Sequence, residues 1–236
     1  MERIKAFGKQ NKDLLLVLLC SVIYLGWFAF LEHSVTNNYH IIHVALDDYI
    51  PFCEYFIIPY LMWFLYVLLV WAWFYRNDRE IFRKLSVFIF AGMYLSLLFC
   101  TIYPNGTDFR PVINPDKNIF CRIVAVLYGT DTPTNVLPSI HVFNSIGIHI
   151  AVLQSRKLNE KRQAVWIRRA SLILCVSICL STMFLKQHSL VDVLVASVLA
   201  YVMYGAVYEP AAAEEGARVS RRKLILQHQE DRGPNF

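Results

Sequence analysis

His188 and Asp192 stand four residues apart in the stretch STMFLKQHSLVDV, residues 181 to 193, beside apolar runs in which a charge is costly. On a helix that spacing puts both side chains on one face, about 6 Å apart along the axis. A carboxylate so placed accepts a hydrogen bond from one ring nitrogen, fixes the tautomer and leaves the lone pair of the other nitrogen free to attack an electrophile. It also stabilises the cationic ring that attack produces. The same pair would serve as a buried ion pair locking one helix to its neighbours, and the spacing alone is compatible with either role. Other polar residues stand near apolar runs as well: Arg110 in DFRP, His141 in LPSIHV and Lys186 two residues before His188. A second His-x3-Asp, His43 with Asp47 in HVALDD, has no Pro-Ser turn or basic residue beside it. That pair reads as an amphipathic interfacial helix with a solvated face.

These residues need a scaffold, and hydropathy supplies it. Of the 236 residues 56% are hydrophobic, with 16 Phe, 13 Tyr and only 9 Gly, too apolar for a soluble domain of this length. Residues 14 to 31, LLLVLLCSVIYLGWFAFL, carry no charge and are long enough to cross a hydrocarbon core of roughly 30 Å. They read as a retained anchor helix rather than a cleaved signal peptide. Further spans are expected at 55 to 74, 85 to 102, 139 to 154, 170 to 185 and 191 to 208, the fourth being short and polar in places. With the N-terminus inside, all of the 23 Lys and Arg except Arg110, Lys117, Arg122 and Lys186 fall on the inner side, which supports this count and orientation. The expected organisation is a cytoplasmic N-terminus at 1–13, a six-helix transmembrane domain at 14–208 and a basic cytoplasmic tail at 209–236. The net charge of +5 is therefore a topology signal, and no nucleic-acid partner is expected.

In an antiparallel bundle of this topology Arg110, His141, His188 and Asp192 all come to the outer ends of helices, on one membrane face. The six Cys show neither disulfide nor zinc spacing and read as apolar packing. Asn105-Gly106-Thr107 is a glycosylation sequon of little weight. No carboxylate cluster suggests a metal site, and no cofactor is expected.

With Arg110-Pro111, Pro138-Ser139-x-His141 and Ser181-x6-His188-x3-Asp192 in this order, the chain resembles the type-2 phosphatidic acid phosphatase superfamily over roughly residues 100 to 205, the catalytic segments lying within 103–192. The resemblance implies an all-α membrane protein of six helices with a metal-independent site at the outer face. It further implies that His188 is a nucleophile forming a phosphohistidine, Asp192 its orienting partner and His141 the general acid for the leaving alcohol. Arg110, Ser139 and Ser181 would bind phosphate. The family pattern is broken at three places: Tyr103 stands where the family has lysine, Thr182 where it has arginine, and Ile140 where it has glycine. Lys186 or Arg122 is expected to replace a missing cation, with Lys186 favoured. The bulky middle residue and Lys-Gln-His-x3-Asp look more like the inositol phosphorylceramide synthase-like branch, whose members can pass the phosphoryl group to an alcohol. The expected protein is a plasma-membrane lipid phosphatase working on a lipid phosphate among membrane lipids. A phosphotransferase, a catalytically silent scaffold and a proton-relay transporter are the alternatives.

Overall fold

Length and apolarity select five long helices, and burial selects a sixth. The computed structural model describes residues 11–35 and 38–209. In chain order its helices are α1 (Lys12–Ser34), α2 (Ala45–Tyr49), α3 (Ile57–Asn77), α4 (Arg79–Ile102), α5 (Ile119–Thr130), α6 (Ile140–Gln154), α7 (Arg156–Asn159), α8 (Ala164–Phe184) and α9 (Leu190–Val207). Two short strands, β1 (His40–Ile41) and β2 (Asn105–Gly106), pair in parallel. The chain is thus an all-α bundle, and α1, α3, α4, α8 and α9 are each long and apolar enough to cross a membrane. The expected N-terminal segment and basic tail lie, apart from a few residues, outside the described range.

The expected fourth span is α6, and it differs from the other five. Its 15 residues reach only about 22 Å, short of a hydrocarbon core of roughly 30 Å. It is instead the hub of the bundle, packed against α3, α4, α8 and α9, with Val142, Phe143, Gly147, Ile148, Ala151 and Val152 buried. Two glycines allow this close approach. A Cβ at Gly92 of α4 would lie 2.0 Å from the Phe143 ring, and one at Gly147 of α6 would lie 2.5 Å from the Phe88 ring. The two rings fill those notches and stack at 4.8 Å. This interlock fixes the height of α6 relative to α4, and so places His141, which sits two residues before Phe143.

The ends of the bundle are tied by side-chain caps. Asp78 accepts from Ile81 N at the start of α4 and from Ser155 Oγ at 2.7 Å, while Ser155 Oγ accepts from Leu158 N in α7. At the opposite end lie the C-termini of α1 and α4 and the N-termini of α6 and α9. The segment between α4 and α6, to which the sequence assigned no span, holds the helix α5, capped by the Asn118 side chain on Cys121 N at 2.8 Å. Twelve residues are too few to span, and α5 lies instead against Ile57, Tyr60 and Leu185 through Val124.

Candidate active site

The turn from α8 into α9 is held from several sides. Thr182 O accepts from both Gln187 N and His188 N, Phe184 O accepts from Cys53 N, and the Tyr128 hydroxyl donates to Leu185 O. Lys186 adopts the left-handed region with φ of 53°, a conformation that a lysine keeps only where its surroundings over-determine it. Asp47 supplies much of that determination. Its carboxylate accepts from Ser189 Oγ at 2.6 Å and Leu190 N at 2.8 Å, and its carbonyl accepts from Lys186 Nζ at 2.6 Å. Asp47 is 2% exposed, so the solvated face expected for HVALDD is corrected: burial of this carboxylate against the α9 N-terminus satisfies donors that would otherwise be unmet. His43 pairs instead with Asp48 and Asp108. Asp47→Ala strands these donors at about 1–3 kcal/mol and should lower the thermal midpoint by several degrees, while Asp47→Asn, keeping one acceptor, should lose less. A thermal melt of the purified protein measures both.

Within this frame His188 Nδ1 donates to Asp192 Oδ2 at 3.2 Å, and Ser189 N donates to the same oxygen at 2.9 Å. Asp192 is completely buried and His188 is 9% exposed. The Nδ1 contact leaves Nε2 as the nitrogen with the free lone pair. The His141 ring stands 6.0 Å from the His188 ring and is flanked by Tyr60 and Trp63, each at 4.6 Å. Ser139 begins α6, its Oγ accepting from Val142 N and its own N donating to Asp192 O at 3.4 Å, which ties the start of α6 to α9.

The segment before Ser139 is anchored by two residues to which the sequence assigned no such role. Asn105 is fully buried; its side-chain oxygen accepts from Val136 N and Leu137 N, and its amide donates to Tyr103 O. The sequon therefore marks a structural asparagine. Glu32, from the end of α1, accepts from Thr132 Oγ1 at 2.5 Å and from Asn135 Nδ2 at 2.8 Å.

Arg110 completes the wall. Nη1 donates to Asp131 O at 2.6 Å, and Nη2 donates to Thr132 O at 3.0 Å and to the side-chain oxygen of Gln187. The Asp131 carboxylate lies 3.9 Å away, and the guanidinium sits 4.9 Å from the centre of the Tyr128 ring. Burial pulls the Arg110 pKa down and pushes that of Asp131 up, while their mutual attraction opposes both shifts. Arg110, Asp131, His141, Gln187 and His188 line one recess of about 480 Å³, its open mouth included.

Of the residues singled out in the sequence, Arg110, His141 and His188 thus meet in one recess, with Asp192 directly behind His188. Ser139 and Ser181 are fully buried outside its lining, and Ser181 Oγ donates to Ile178 O. Lys186 does not line the recess either, because its left-handed backbone turns the ammonium toward Asp47. Arg122 is exposed on α5, away from the wall. Gln187 and Asp131, which the sequence did not single out, are on it. Among the described residues no group of three His, Cys, Asp or Glu side chains is placed to hold a metal ion.

One comparison with known proteins bears on this recess. Residues 108–212 match the PAP2 superfamily. The matched stretch holds Arg110, His141, His188 and Asp192, and it supports the superfamily to which the motifs pointed without reaching the inositol phosphorylceramide synthase-like branch. Asp47 and Glu32 fall outside it. No curated protein and no solved structure matches the chain. The superfamily match and the five long apolar helices together point to a multi-pass membrane protein of the phosphatase and phosphotransferase type.

Proposed function

We propose that this protein is a membrane lipid phosphatase that hydrolyses a lipid phosphomonoester or diphosphate through a phosphohistidine, without a metal ion. The observation that carries the reading is the buried His188–Asp192 pair facing His141 across a recess walled by Arg110. His188 Nε2 attacks phosphorus as the bond to the leaving oxygen breaks, and His141 gives that oxygen its proton. Water then attacks the phosphohistidine, the N–P bond breaks and His141 takes the proton back. Arg110 meets the charge on the phosphoryl oxygens. Purified protein offered a panel of phosphatidic acid, phosphatidylglycerophosphate and polyprenyl phosphates should release phosphate from at least one, and His188→Ala should release none. Release from none by the intact protein, over a full range of pH, would leave the scaffold reading standing.

Transfer to an alcohol is the second reading, and Ile140 favours it. This residue lines the recess where the family has glycine, so apolar bulk stands beside the site of the second attack and excludes water. Glycerol or inositol added to the same assay should then divert product from free phosphate to a phosphorylated alcohol.

The charge asymmetry supports an orientation with both termini in the cytoplasm and the recess at the outer face of the membrane, which we propose is the plasma membrane. A cysteine introduced beside Asn114 should then react with an impermeant thiol reagent on intact cells, and one beside Asn159 should not. The reverse pattern would overturn the orientation.

A further inference from the structure

Gln187 is 1% exposed, yet its side chain forms part of the recess wall beside His188. Its neighbour Arg110 has donors only, so the amide oxygen of Gln187 must face the guanidinium, as it does. The two N–H groups of Nε2 are thereby turned elsewhere, and they meet no acceptor. Arg110 Nε is a second buried donor without an acceptor on the same wall. A buried donor left unmet is costly, and two of them from residues lining the same recess as the candidate nucleophile form a place for an oxygen-rich group.

The charges around this place are few. Among the described residues Arg110 is the only Lys or Arg lining the recess, and the Asp131 carboxylate faces it at 3.9 Å. Asp192 stands behind His188, and Glu32 is engaged by Thr132 and Asn135. Lys186, next in the chain, has its ammonium on the Asp47 carbonyl, with the Asp47 carboxylate on Ser189 and Leu190. His141, His188, Tyr24 and Cys100 are the other titratable groups of the wall, and none of them carries a fixed charge. One fixed positive charge balanced by one carboxylate leaves a second negative charge on a bound group without a partner.

We propose that Gln187 is a substrate ligand whose amide, with Arg110, receives the phosphoryl oxygens, and that this neutral ligand makes the site selective for phosphoryl groups carrying a single negative charge. A phosphodiester is such a group, and so is the monoanion of a phosphomonoester. The inference rests on the phosphoryl-transfer reading above. It also replaces Lys186 and Arg122 as the substitute for the missing cations.

The test compares a lipid phosphomonoester with a phosphodiester of the same acyl chains, using full-length protein in detergent from pH 5 to 8. The ratio of the two kcat/KM values cancels the titration of the protein's own histidines, because only the monoester changes its charge, with a second pKa near 6. In the wild type the monoester-to-diester ratio should fall about tenfold per pH unit above that pKa. Gln187→Lys should flatten the fall and raise the ratio at pH 8 by about tenfold or more, and Gln187→Ala should lower kcat/KM for both lipids by about 10 to 100-fold. A wild-type ratio that does not change with pH overturns the proposal without need of any variant, and so does a Gln187→Lys ratio equal to that of the wild type. The absolute diester rate tells which source of the single charge the site prefers. If neither lipid is consumed and no label is trapped on His188, the phosphoryl-transfer reading fails and this proposal fails with it.

Discussion

His188→Ala should leave a folded, membrane-inserted protein with lipid-phosphate turnover reduced by at least about 10⁴-fold, the scale on which loss of a covalent nucleophile is felt. Folding survives because the turn does not depend on the imidazole: His188 N still bonds Thr182 O, and Asp192 still caps Ser189 N. The chemistry should not survive, since the variant lacks the imidazole that takes the phosphoryl group in the proposed mechanism. Asp192→Asn should retain part of the activity at a rate reduced by roughly 10² to 10⁴-fold, because an amide that presents its NH2 to Nδ1 enforces the wrong tautomer and cannot stabilise the cationic ring. Kinetics on both variants, beside a thermal melt, separate a chemical defect from a folding one. Near-normal turnover in His188→Ala would remove this residue from the mechanism.

The second large effect is expected at Arg110, where even lysine should fail. The guanidinium binds in three directions at once, to the carbonyls of Asp131 and Thr132 and to Gln187. A lysine ammonium keeps the charge but has a single nitrogen and no planar fork. Charge-assisted contacts of this kind contribute about 1.5 to 3 kcal/mol each, so losing two of them should reduce kcat/KM by roughly 10² to 10⁴-fold. Because Arg110 also pins the segment from 131 to 132, Arg110→Lys should loosen it, and hydrogen exchange at Thr132 N should quicken. Activity in Arg110→Lys within a few-fold of wild type would mean that only the charge matters.

The legibility of this molecule in its sequence follows the range of the interactions involved. Each long helix is a local property of some twenty apolar residues, so α1, α3, α4, α8 and α9 are readable from hydropathy within a few residues. The starts of α4 and α8 are the exceptions, each six residues earlier than expected: α4 begins at Arg79 and carries Arg83 and Lys84, and α8 begins at Ala164 and carries Arg168 and Arg169, residues that hydropathy assigns to the loops. The motif residues were legible because Pro-Ser-x-His and His-x3-Asp are short patterns whose spacing has a meaning on a helix. Asp47, Asn105, Glu32, Asp131 and Gln187 were not, since each acts on segments far away in the chain. Asp47 meets Ser189 across 142 positions, and Glu32 meets Thr132 across 100. Residue type misled at Lys186: a cation beside His188 suggests a phosphate ligand, but a backbone φ of 53° sends its side chain toward Asp47. Neutral Gln187, one residue further, has the buried place on the wall.

The measurement that bears most directly on the central claim is capture of the covalent intermediate. Protein mixed briefly with phosphorus-labelled lipid phosphate and quenched in alkali should carry label that is stable to base and lost in acid, the behaviour of a phosphohistidine. The label should map to the peptide containing His188, decay on a chase with unlabelled substrate at the rate of turnover, and be absent from His188→Ala. Label that persists in His188→Ala, or label on the wild type that is lost in alkali as an acyl phosphate would be, contradicts the account.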